Sequence, residues 1–287
     1  MTEHITIAVS RRAECGEGPV WDAAANAVHW VDILAGEILT TDLERGTTVA
    51  MTYPATVGAA APRTQGGWVA AVASGFVAIE SDGQVSHRVD ILPPGIRMND
   101  AKTDPRGRFW AGSCATDFAP GFGGLWRLDE EWRATLVLPN LTQPNGMGWS
   151  PAGDVFYLVE TQAKQILSFP FDADTGALGP SSTVLVDAVE FTGYPDGLTV
   201  DAAGNLWVAE FAGSAVHEFS PDGRRLRSVA IPTTQPTSCA FVGSALDELW
   251  VTSAAFQTDP VADPAAGSVF QVSGLGTAGM ASERFRG

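Results

Sequence analysis

The sequence predicts an all-β fold, namely a six-bladed β-propeller with four-stranded antiparallel blades. The 31 Gly and 18 Pro are spread along the whole chain, which leaves little room for long helices. Aromatic residues that mark successive repeat units are 38 to 50 residues apart, a period typical of propeller blades. The repeated unit, a polar turn followed by an aromatic strand, occurs at 21–33, 63–72, 104–113, 150–160, 201–211 and 244–254.

Each repeated unit begins with a polar turn, in which Gly or Asn usually supplies a positive φ angle. The turn leads into a run of aromatic and β-branched residues, which suits a buried strand. A second strand follows most units and ends in another turn, as in GFVAIESDG at 75–83, so the pair predicts a hairpin. The aromatic markers, which we expect to pack in the core, are Trp30, Trp68, Trp110, Tyr157, Trp207 and Trp250.

The two ends of the chain are expected to meet in the last blade. The last unit offers only three strands, at 238–243, 248–254 and 267–273, whereas residues 4–10 alternate like a strand and precede the first unit. A lone blade exposes both faces, so the ring must close to bury them. We therefore expect the N-terminal strand to complete the sixth blade and residues 1–287 to form a single domain. A β-sandwich is the competing fold, but it requires no regularly spaced aromatic marker.

Composition excludes several classes of function. The net charge of −16, from 17 Lys and Arg against 33 Asp and Glu, repels a phosphate backbone, so nucleic acid is not an expected partner. No stretch approaches the roughly 18–20 apolar residues of a membrane helix, and the N-terminus lacks the order of a secretion signal. We therefore expect no membrane partner and a cytoplasmic location. Cys15, Cys114 and Cys239 form no CxxC pair and are expected to be buried free thiols.

Four polar residues, in segments that carry Gly or Pro, occupy nearly the same position in four of the repeated units. Glu17, Asn99, Asn145 and Asp196 precede an aromatic marker by 11 to 13 residues, so we expect them to point toward the propeller axis from four blades. Two carboxylates with one or two amide oxygens form a hard, all-oxygen site that suits Ca²⁺, Mg²⁺ or Mn²⁺. The four histidines lie elsewhere, which disfavours a His-rich zinc site. Taken singly, the Pro-Asn-Gly and Pro-Asp-Gly segments also read as ordinary turns.

These segments and their surroundings closely resemble the SMP-30/gluconolactonase family, also called the regucalcin family, of six-bladed metal-dependent sugar lactonases. The resemblance covers nearly the whole chain, and it is more specific for the fold and the metal site than for the substrate. It implies a carboxylic ester hydrolase that opens aldonolactones, such as glucono-1,5-lactone or a pentonolactone, to the aldonic acid. The matching runs are GEGPVWD at 16–22, RMNDAKTDPRGRFWAGS at 97–113, QPNGMGWSPAGDVFYLVET at 143–161 and YPDGLTVDAAGNLWVAE at 194–210.

The resemblance implies that Glu17, Asn145 and Asp196 bind one divalent metal ion and that Asp196 is also the general base. The ion is expected to be Ca²⁺, Zn²⁺, Mn²⁺, Mg²⁺ or Fe²⁺, and its role is to polarise the lactone carbonyl. A serine nucleophile is not expected, since the chain has no GxSxG elbow.

The resemblance also implies the substrate contacts. Arg97 and Asn99 are expected to hold ring hydroxyls or the lactone oxygen through directed hydrogen bonds. Asp117 is expected to accept a hydrogen bond from a sugar hydroxyl, and Asp100 to be a carboxylate in the pocket or just behind it. The expected partner is a small-molecule sugar lactone, and the expected assembly is a monomer or a weak homodimer.

Other functions stay open at this stage. One is a calcium-binding regulatory protein without catalysis, although Arg97 and Asn99 beside the metal residues favour an enzyme. Another is a hydrolase of the same fold that acts on a phosphotriester or an aryl ester, which would have a more apolar pocket. A third is a propeller that binds proteins at its rim. Two departures from the family pattern, Ala101 in place of Gly and Cys114 in place of Met, leave the preferred sugar open.

Overall fold

A computed structural model describes residues 3–287 and confirms the six-bladed propeller. Six antiparallel sheets follow one another along the chain, and the only helical element in this range is the short 3₁₀ turn Ala188–Glu190. The same range contains no helix of the length and apolar character needed to cross a membrane. The innermost strand of each blade packs beside the innermost strands of both neighbours, so six strands surround a central axis.

The strands are numbered in chain order, and β1 is His4–Val9. Blades one to three contain β2 Gly16–Asp22, β3 Ala27–Asp32, β4 Glu37–Asp42, β5 Gly46–Thr52, β6 Val57–Pro62, β7 Trp68–Val72, β8 Gly75–Ile79, β9 Val85–Asp90, β10 Ile96–Thr103, β11 Phe109–Ala115, β12 Gly123–Leu128 and β13 Ala134–Leu141. Blades four to six contain β14 Pro144–Trp149, β15 Val155–Glu160, β16 Gln165–Asp172, β17 Ala177–Leu178, β18 Thr183–Val186, β19 Tyr194–Val200, β20 Leu206–Phe211, β21 Ala215–Phe219, β22 Arg225–Ala230, β23 Pro236–Val242, β24 Glu248–Ser253 and β25 Val269–Ser273. In blade four, β17 and β18 both pair with β16 and share the outermost position.

The ends of the chain meet in the sixth blade, as predicted. Strand β1 pairs antiparallel with β25, with His4 opposite Ser273 and Ile7 opposite Phe270. The strand order of this sheet is β1-β25-β24-β23, so the first strand of the chain supplies the outermost strand of the last blade. Backbone hydrogen bonds between the two ends of the chain therefore close the ring.

Six hydrophobic clusters hold the ring together, and each lies between two consecutive blades. All six predicted aromatic markers lie on the second strand of their blades, and Trp30, Trp110 and Trp207 are fully buried in these clusters. Trp68 is only partly buried, at the edge of the cluster between blades one and two. Because every sheet packs against a neighbour on both faces, the aromatic repeat reflects a repeated core.

In two of the repeated units, a buried aspartate lies six residues before the aromatic marker, and its hydrogen bonds explain this spacing. Asp104 and Asp201 each accept hydrogen bonds from amides of their own turns through Oδ1. Their Oδ2 atoms accept the indole N–H groups of Trp110, at 2.9 Å, and of Trp207, at 3.1 Å. Each carboxylate therefore couples the polar turn to the marker six residues later.

Each innermost strand changes its register with the second strand close to its own start. The shifts begin after Glu17, Val57, Met98, Pro144, Pro195 and Pro236. Such β-bulges re-aim side chains without ending the strand. They occur at equivalent places in all six blades, and four of these places carry the polar residues singled out from the sequence.

The glycines of the Pro-Asn-Gly and Pro-Asp-Gly segments allow the innermost strands to approach one another. A Cβ atom on Gly146 would lie 2.3 Å from the backbone nitrogen of Leu198, and one on Gly197 would lie 2.0 Å from Oγ of Ser238. These segments are therefore strand residues at a close strand contact, and not the ordinary turns that their sequence also allows.

The C-terminal segment, residues 274–287, covers the end of the axis where the innermost strands finish, which the repeat did not predict. Phe285 is fully buried and packs against Phe109 of blade three. Arg284 forms an ion pair with Asp22 of blade one, and isolated backbone bridges join the segment to blades two and five. The segment thus ties together four blades.

We expect Phe285→Ala to lower the free energy of unfolding by about 3–5 kcal/mol, because it removes a fully buried ring and leaves a cavity. Urea unfolding followed by tryptophan fluorescence measures the change. Phe122→Ala is the matched control, since this ring is 66% exposed and its loss should change stability by less than about 0.5 kcal/mol. Equal effects of the two substitutions would show that the C-terminal segment does not stabilise the ring.

Candidate functional site

A cavity of about 450 Å³ opens where the innermost strands begin. Side chains from every blade except the second line it. Five of the seven site residues expected from the sequence line this cavity, and each is among the first four residues of an innermost strand. These five residues are Glu17, Arg97, Asn99, Asn145 and Asp196.

Asn145 and Asp196, which neighbouring blades contribute, are in direct contact. The side-chain N–H groups of Asn145 donate to Oδ1 of Asp196 and, at 3.0 Å, to Oγ1 of Thr161. Thr161 donates in turn to the carbonyl oxygen of Pro195 at 2.9 Å. Because a carbonyl oxygen only accepts, the Thr161 hydroxyl must accept from Asn145, and this fixes the orientation of the amide. Asn145 Oδ1 is consequently buried with no hydrogen-bond partner within residues 3–287.

Glu17 and Asp196 are buried carboxyl groups that share the cavity. Their exposed fractions are 4% and 7%, and the amide of Gly18 donates to Oε2 of Glu17 at 2.7 Å. Burial raises the pKa of both groups well above the usual range, and the negative charge of Asp100 raises both further. The pKa of Glu17 is raised again by Asp196 itself. The charge of Arg97 lowers both pKa values, but burial and the neighbouring negative charges outweigh it. We call Glu17, Asn145 and Asp196 the cavity floor.

Asp100 lies behind the cavity rather than in its wall. It is buried, and its Oδ1 accepts the amide N–H of Ala101 at 2.7 Å. Burial raises the pKa of Asp100, although the nearby Lys102 opposes the shift. Lys102 donates to the carbonyl oxygen of Leu198 at 2.5 Å, and burial lowers its pKa. Asp100 is thus placed to act on the cavity floor through its charge.

Arg97 and Asn99 form a connected polar wall. Nη1 of Arg97 donates to Oδ1 of Asn99 and to the carbonyl oxygen of Met98, both at 2.9 Å. Nδ2 of Asn99 donates to the carbonyl oxygen of Pro144 in the next blade at 3.2 Å. These bonds use one nitrogen of the guanidinium group and leave its other N–H groups for a ligand.

Asp117 does not line the cavity. It lies on the exposed loop after β11, and its Oδ1 accepts the amide N–H of Ala119 at 3.1 Å. Its neighbours Thr116 and Phe118 do line the cavity, so the loop reaches the site while the carboxylate is directed at its own backbone. The sequence run could place this loop near the site but could not give the direction of the carboxylate.

Sequence reasoning missed the apolar mouth of the cavity. The apolar side chains that form this mouth come from loops and strand ends in four blades. They share no motif and do not recur at one position of the repeat, so the sequence carries no signal for them. The cavity therefore combines a polar floor with an apolar mouth. The large apolar residues at the mouth are Leu34, Phe118, Tyr194, Phe211 and Phe256.

The three cysteines are free, but they are not all buried. Cys114 and Cys239 are buried as predicted, and Cys114 lies opposite Arg97 in the sheet. The prediction is wrong for Cys15, which is only partly buried and lines the cavity beside Glu17. Cys15 directly precedes the innermost strand of blade one, and that strand starts at the open end of the axis.

The donors on the cavity floor fit a divalent cation. Two buried carboxylates and one amide oxygen without a donor form the all-oxygen set that hard cations prefer. A cation here would give Asn145 Oδ1 its missing partner and would offset the repulsion between Glu17 and Asp196. In the part of the chain that the structure describes, no group of three or more His, Cys, Asp and Glu side chains could hold a metal ion. The amide oxygen of Asn145 is therefore a necessary member of the proposed donor set.

The family of this chain follows from its match to a known family model. The model described as "SMP-30/Gluconolactonase/LRE-like region" matches residues 15–255. This chain belongs to the SMP-30/gluconolactonase family. The matched region contains every site residue expected from the sequence, and the match confirms the resemblance seen in the sequence runs.

Similar members of this family carry two kinds of name. Regucalcin of Homo sapiens is 32% identical and is aligned over 99% of this chain and 98% of its own length. A pentonolactonase of Haloferax volcanii is 33% identical over 93% of this chain and 94% of its own length. Among solved structures, a calcium-binding protein, regucalcin, of Agrobacterium tumefaciens superimposes with a TM-score of 0.92 and 27% identity, covering 98% of this chain and 96% of that chain.

Glu210 holds the loop that leads to Asp196. Its Oε1 accepts the amide N–H of Gly193 and, at 3.1 Å, the hydroxyl of Thr192, while its Oε2 is bonded to Nε2 of His217 at 2.6 Å. Burial by itself raises the pKa of Glu210, but the hydrogen bonds from His217 and Gly193 outweigh it and hold this pKa at about 2.

We expect the stabilising effect of the Glu210 carboxylate to disappear in acid. Its folded pKa of about 2 lies below the ordinary 4.5, so its contribution is complete above pH 4.5 and is lost as the pH falls toward 2. The difference in unfolding free energy between wild type and Glu210→Gln should be on the order of 3 kcal/mol at neutral pH and less than half of that at pH 3. Urea titrations at several pH values measure it, and a constant difference would contradict the assignment.

Proposed function

We propose that this protein is a divalent-metal-dependent hydrolase that opens sugar lactones, such as glucono-1,5-lactone or a pentonolactone, to the aldonic acid. The observation that carries the proposal is the meeting of Glu17, Asn145 and Asp196 in one cavity, with Asn145 Oδ1 left without a partner. The name of the Haloferax volcanii relative, a pentonolactonase, supports hydrolysis of a lactone. Arg97 and Asn99 in the same cavity support a substrate rich in oxygen.

When bound, the divalent ion supplies Lewis-acid activation of the ester carbonyl. Asp196 is proposed to take the proton of the water as the water oxygen bonds to the carbonyl carbon, and to return it to the ring oxygen when the ester bond breaks. Its Oδ1 is held by Asn145, which leaves Oδ2 for that proton. Thr161 and Pro195 hold the Asn145 amide, so the carboxylate is oriented before the substrate arrives.

The wall of Arg97 and Asn99 is proposed to bind the lactone ring. Because the two side chains are already bonded to each other and to the next blade, little side-chain entropy is lost on binding. Asp117 is proposed to meet a sugar hydroxyl at the mouth, where its neighbours Thr116 and Phe118 face the cavity. Asp100 is proposed to act through its negative charge on Glu17 and Asp196, from behind the cavity floor.

We further propose that the chain works in the cytoplasm as one domain, 1–287, and as a monomer or a weak homodimer. The free cysteines support a reducing compartment, since the structure shows no disulfide between them. The net charge of −16 opposes tight self-association.

Lactone hydrolysis should depend on the ion and on the residues that hold it. Protein treated with chelator should lose at least about 100-fold in kcat/KM for glucono-1,5-lactone and regain it with Ca²⁺ or Mn²⁺. Asn145→Ala and Asp196→Asn should each lower kcat by about 100-fold or more with the fold retained. Asp82→Asn, an exposed carboxylate on the turn after β8, is the control and should leave kcat unchanged. A titrimetric assay and circular dichroism measure activity and fold.

Unchanged turnover in chelator would remove the metal-dependent mechanism. Ion binding without turnover of any aldonolactone would favour the alternative hypothesis, a calcium-binding regulatory protein. The similar solved structure from Agrobacterium tumefaciens supports this hypothesis, because its name describes a calcium-binding protein.

The apolar mouth favours a second candidate, a hydrolase of the same fold for an ester with an apolar group. Of the four residues expected to mark a polyhydroxylated substrate, Arg97 and Asn99 line the cavity, whereas Asp100 and Asp117 do not. An apolar substituent would bury its surface against side chains such as Phe118, which is 38% exposed.

A matched pair of substrates separates the two candidates. We expect kcat/KM to be at least about tenfold higher for an aldonolactone than for a lactone ring of equal size with an alkyl chain, because only the former gives Arg97 and Asn99 hydroxyl partners. Phe118→Ala should reduce turnover of the alkyl lactone more than that of the aldonolactone. The reverse preference would favour the ester with an apolar group.

A further inference from the structure

Three buried carboxylates outside the cavity repeat at equivalent places in three blades. Asp32 and Glu160 are the last residues of β3 and β15, and Glu210 is the last but one of β20. Each is paired across the sheet with the first or second residue of the innermost strand. Their exposed fractions are 3%, 7% and 2%, and none of the three lines the cavity.

Each of these carboxylates binds the segment that directly precedes the innermost strand of its own blade, here called the leading loop. Asp32 accepts two amide N–H groups of its leading loop, at 2.8 and 3.0 Å. Glu160 likewise accepts two, at 3.1 and 2.7 Å, and Glu210 accepts one amide and one hydroxyl. The leading loops of blades one, four and five are residues 10–15, 142–143 and 191–193.

The blades with such a carboxylate are the same three that supply the proposed ion ligands. Blade one carries Glu17, blade four carries Asn145 and blade five carries Asp196. In the other three blades, the residue paired with the first position of the innermost strand offers no carboxylate. Those residues are Val72, Ala115 and Ser253.

The anchored amides lie close to the ligands along the chain. Cys15 and Gln143 each precede the ligand of their blade by two residues, and Gly193 precedes its ligand by three. Fixing these amides fixes the start of the innermost strand, and therefore the bulge that aims the ligand. This matters because ion ligands must be held within about 0.5 Å of their bound positions. Repulsion between Glu17 and Asp196 acts against that placement before an ion binds.

We propose that Asp32, Glu160 and Glu210 are positioning residues that hold the three ion ligands at bonding separation through the leading loops. The inference rests on the proposed function, since it takes Glu17, Asn145 and Asp196 as the ligands. It predicts that the carboxylates set the ion affinity of the site as well as the stability of their blades.

Blade six supplies a matched control, because a buried carboxylate from the segment between β24 and β25 anchors its leading loop, which leads to no proposed ion ligand. Asp263 is 7% exposed and accepts the amide and the hydroxyl of Thr234, both at 2.7 Å, and the hydroxyl of Thr233 at 3.0 Å. All three bonds go to Oδ2, so Asp263→Ala, which removes that oxygen, should cost at least as much stability as Glu160→Gln does, without changing the ion site.

The experiment measures Mn²⁺ binding by the full-length protein after removal of metal, with free Mn²⁺ followed by electron paramagnetic resonance. Glu160→Gln keeps the size of the side chain but directs an amide N–H at a backbone N–H, so one loop bond is lost. We expect its Kd for Mn²⁺ to be at least about tenfold weaker than that of wild type, the loss typical of residues that orient metal ligands. Asp32→Asn should show the same loss in blade one and carries the test if Glu160→Gln does not fold.

Thermal unfolding of the metal-free proteins separates positioning from general stability. A weaker Kd in Glu160→Gln and Asp32→Asn supports the proposal, provided that Asp263→Ala stays within twofold of the wild-type Kd at a similar or larger loss of Tm. An unchanged Kd in Glu160→Gln or Asp32→Asn despite a lower Tm overturns it and leaves the proposed function standing. Wild-type protein that binds no Mn²⁺ removes the ion site itself, and with it this inference.

Discussion

Glu17 and Asp196 are buried together at the axis of the propeller, where each carboxylate has little contact with solvent and meets negative charge from its neighbours. Such an arrangement opposes folding unless the surrounding structure holds it or a cation neutralises it. Here the innermost strands are held from outside by the apolar clusters between blades, which fix the six strands around the axis. The fold therefore supplies the stability that the site lacks.

The two ends of the axis are built for different tasks. At one end, bulges at the start of the innermost strands aim polar side chains into the open cavity. At the other end, the C-terminal segment covers the axis and buries Phe285 among the blades. The ring closes through β1 at the periphery, far from the ligands. Stability is thus concentrated away from the place where chemistry is proposed, which leaves the site free to keep unsatisfied groups such as Asn145 Oδ1.

Much of this architecture could be predicted from the sequence because the repeat reports it directly. The aromatic markers recur because each blade needs the same core residue, and Glu17, Asn145 and Asp196 share one phase because each innermost strand bulges at the same place. Features outside the repeat could not be predicted. The C-terminal segment has no counterpart in the blades, and the apolar mouth comes from loops whose residues follow no period.

The orientation of single side chains could not be predicted from the sequence either. The run that contains Asp117 places its loop near the cavity, but it does not show that the amide N–H of Ala119 donates to Oδ1 of this carboxylate, since only coordinates reveal such a bond. The partial exposure of Cys15 has the same origin, since a cysteine beside a strand reads as a core residue until the open end of the axis is known.

The central claim is that oxygens from three blades meet at one ion. Anomalous diffraction from crystals soaked in Ca²⁺ tests it most directly. The account predicts a single strong peak on the cavity floor, about 2.3–2.6 Å from oxygens of Glu17, Asn145 and Asp196. A floor without a peak, or a peak bonded to other residues, would contradict it.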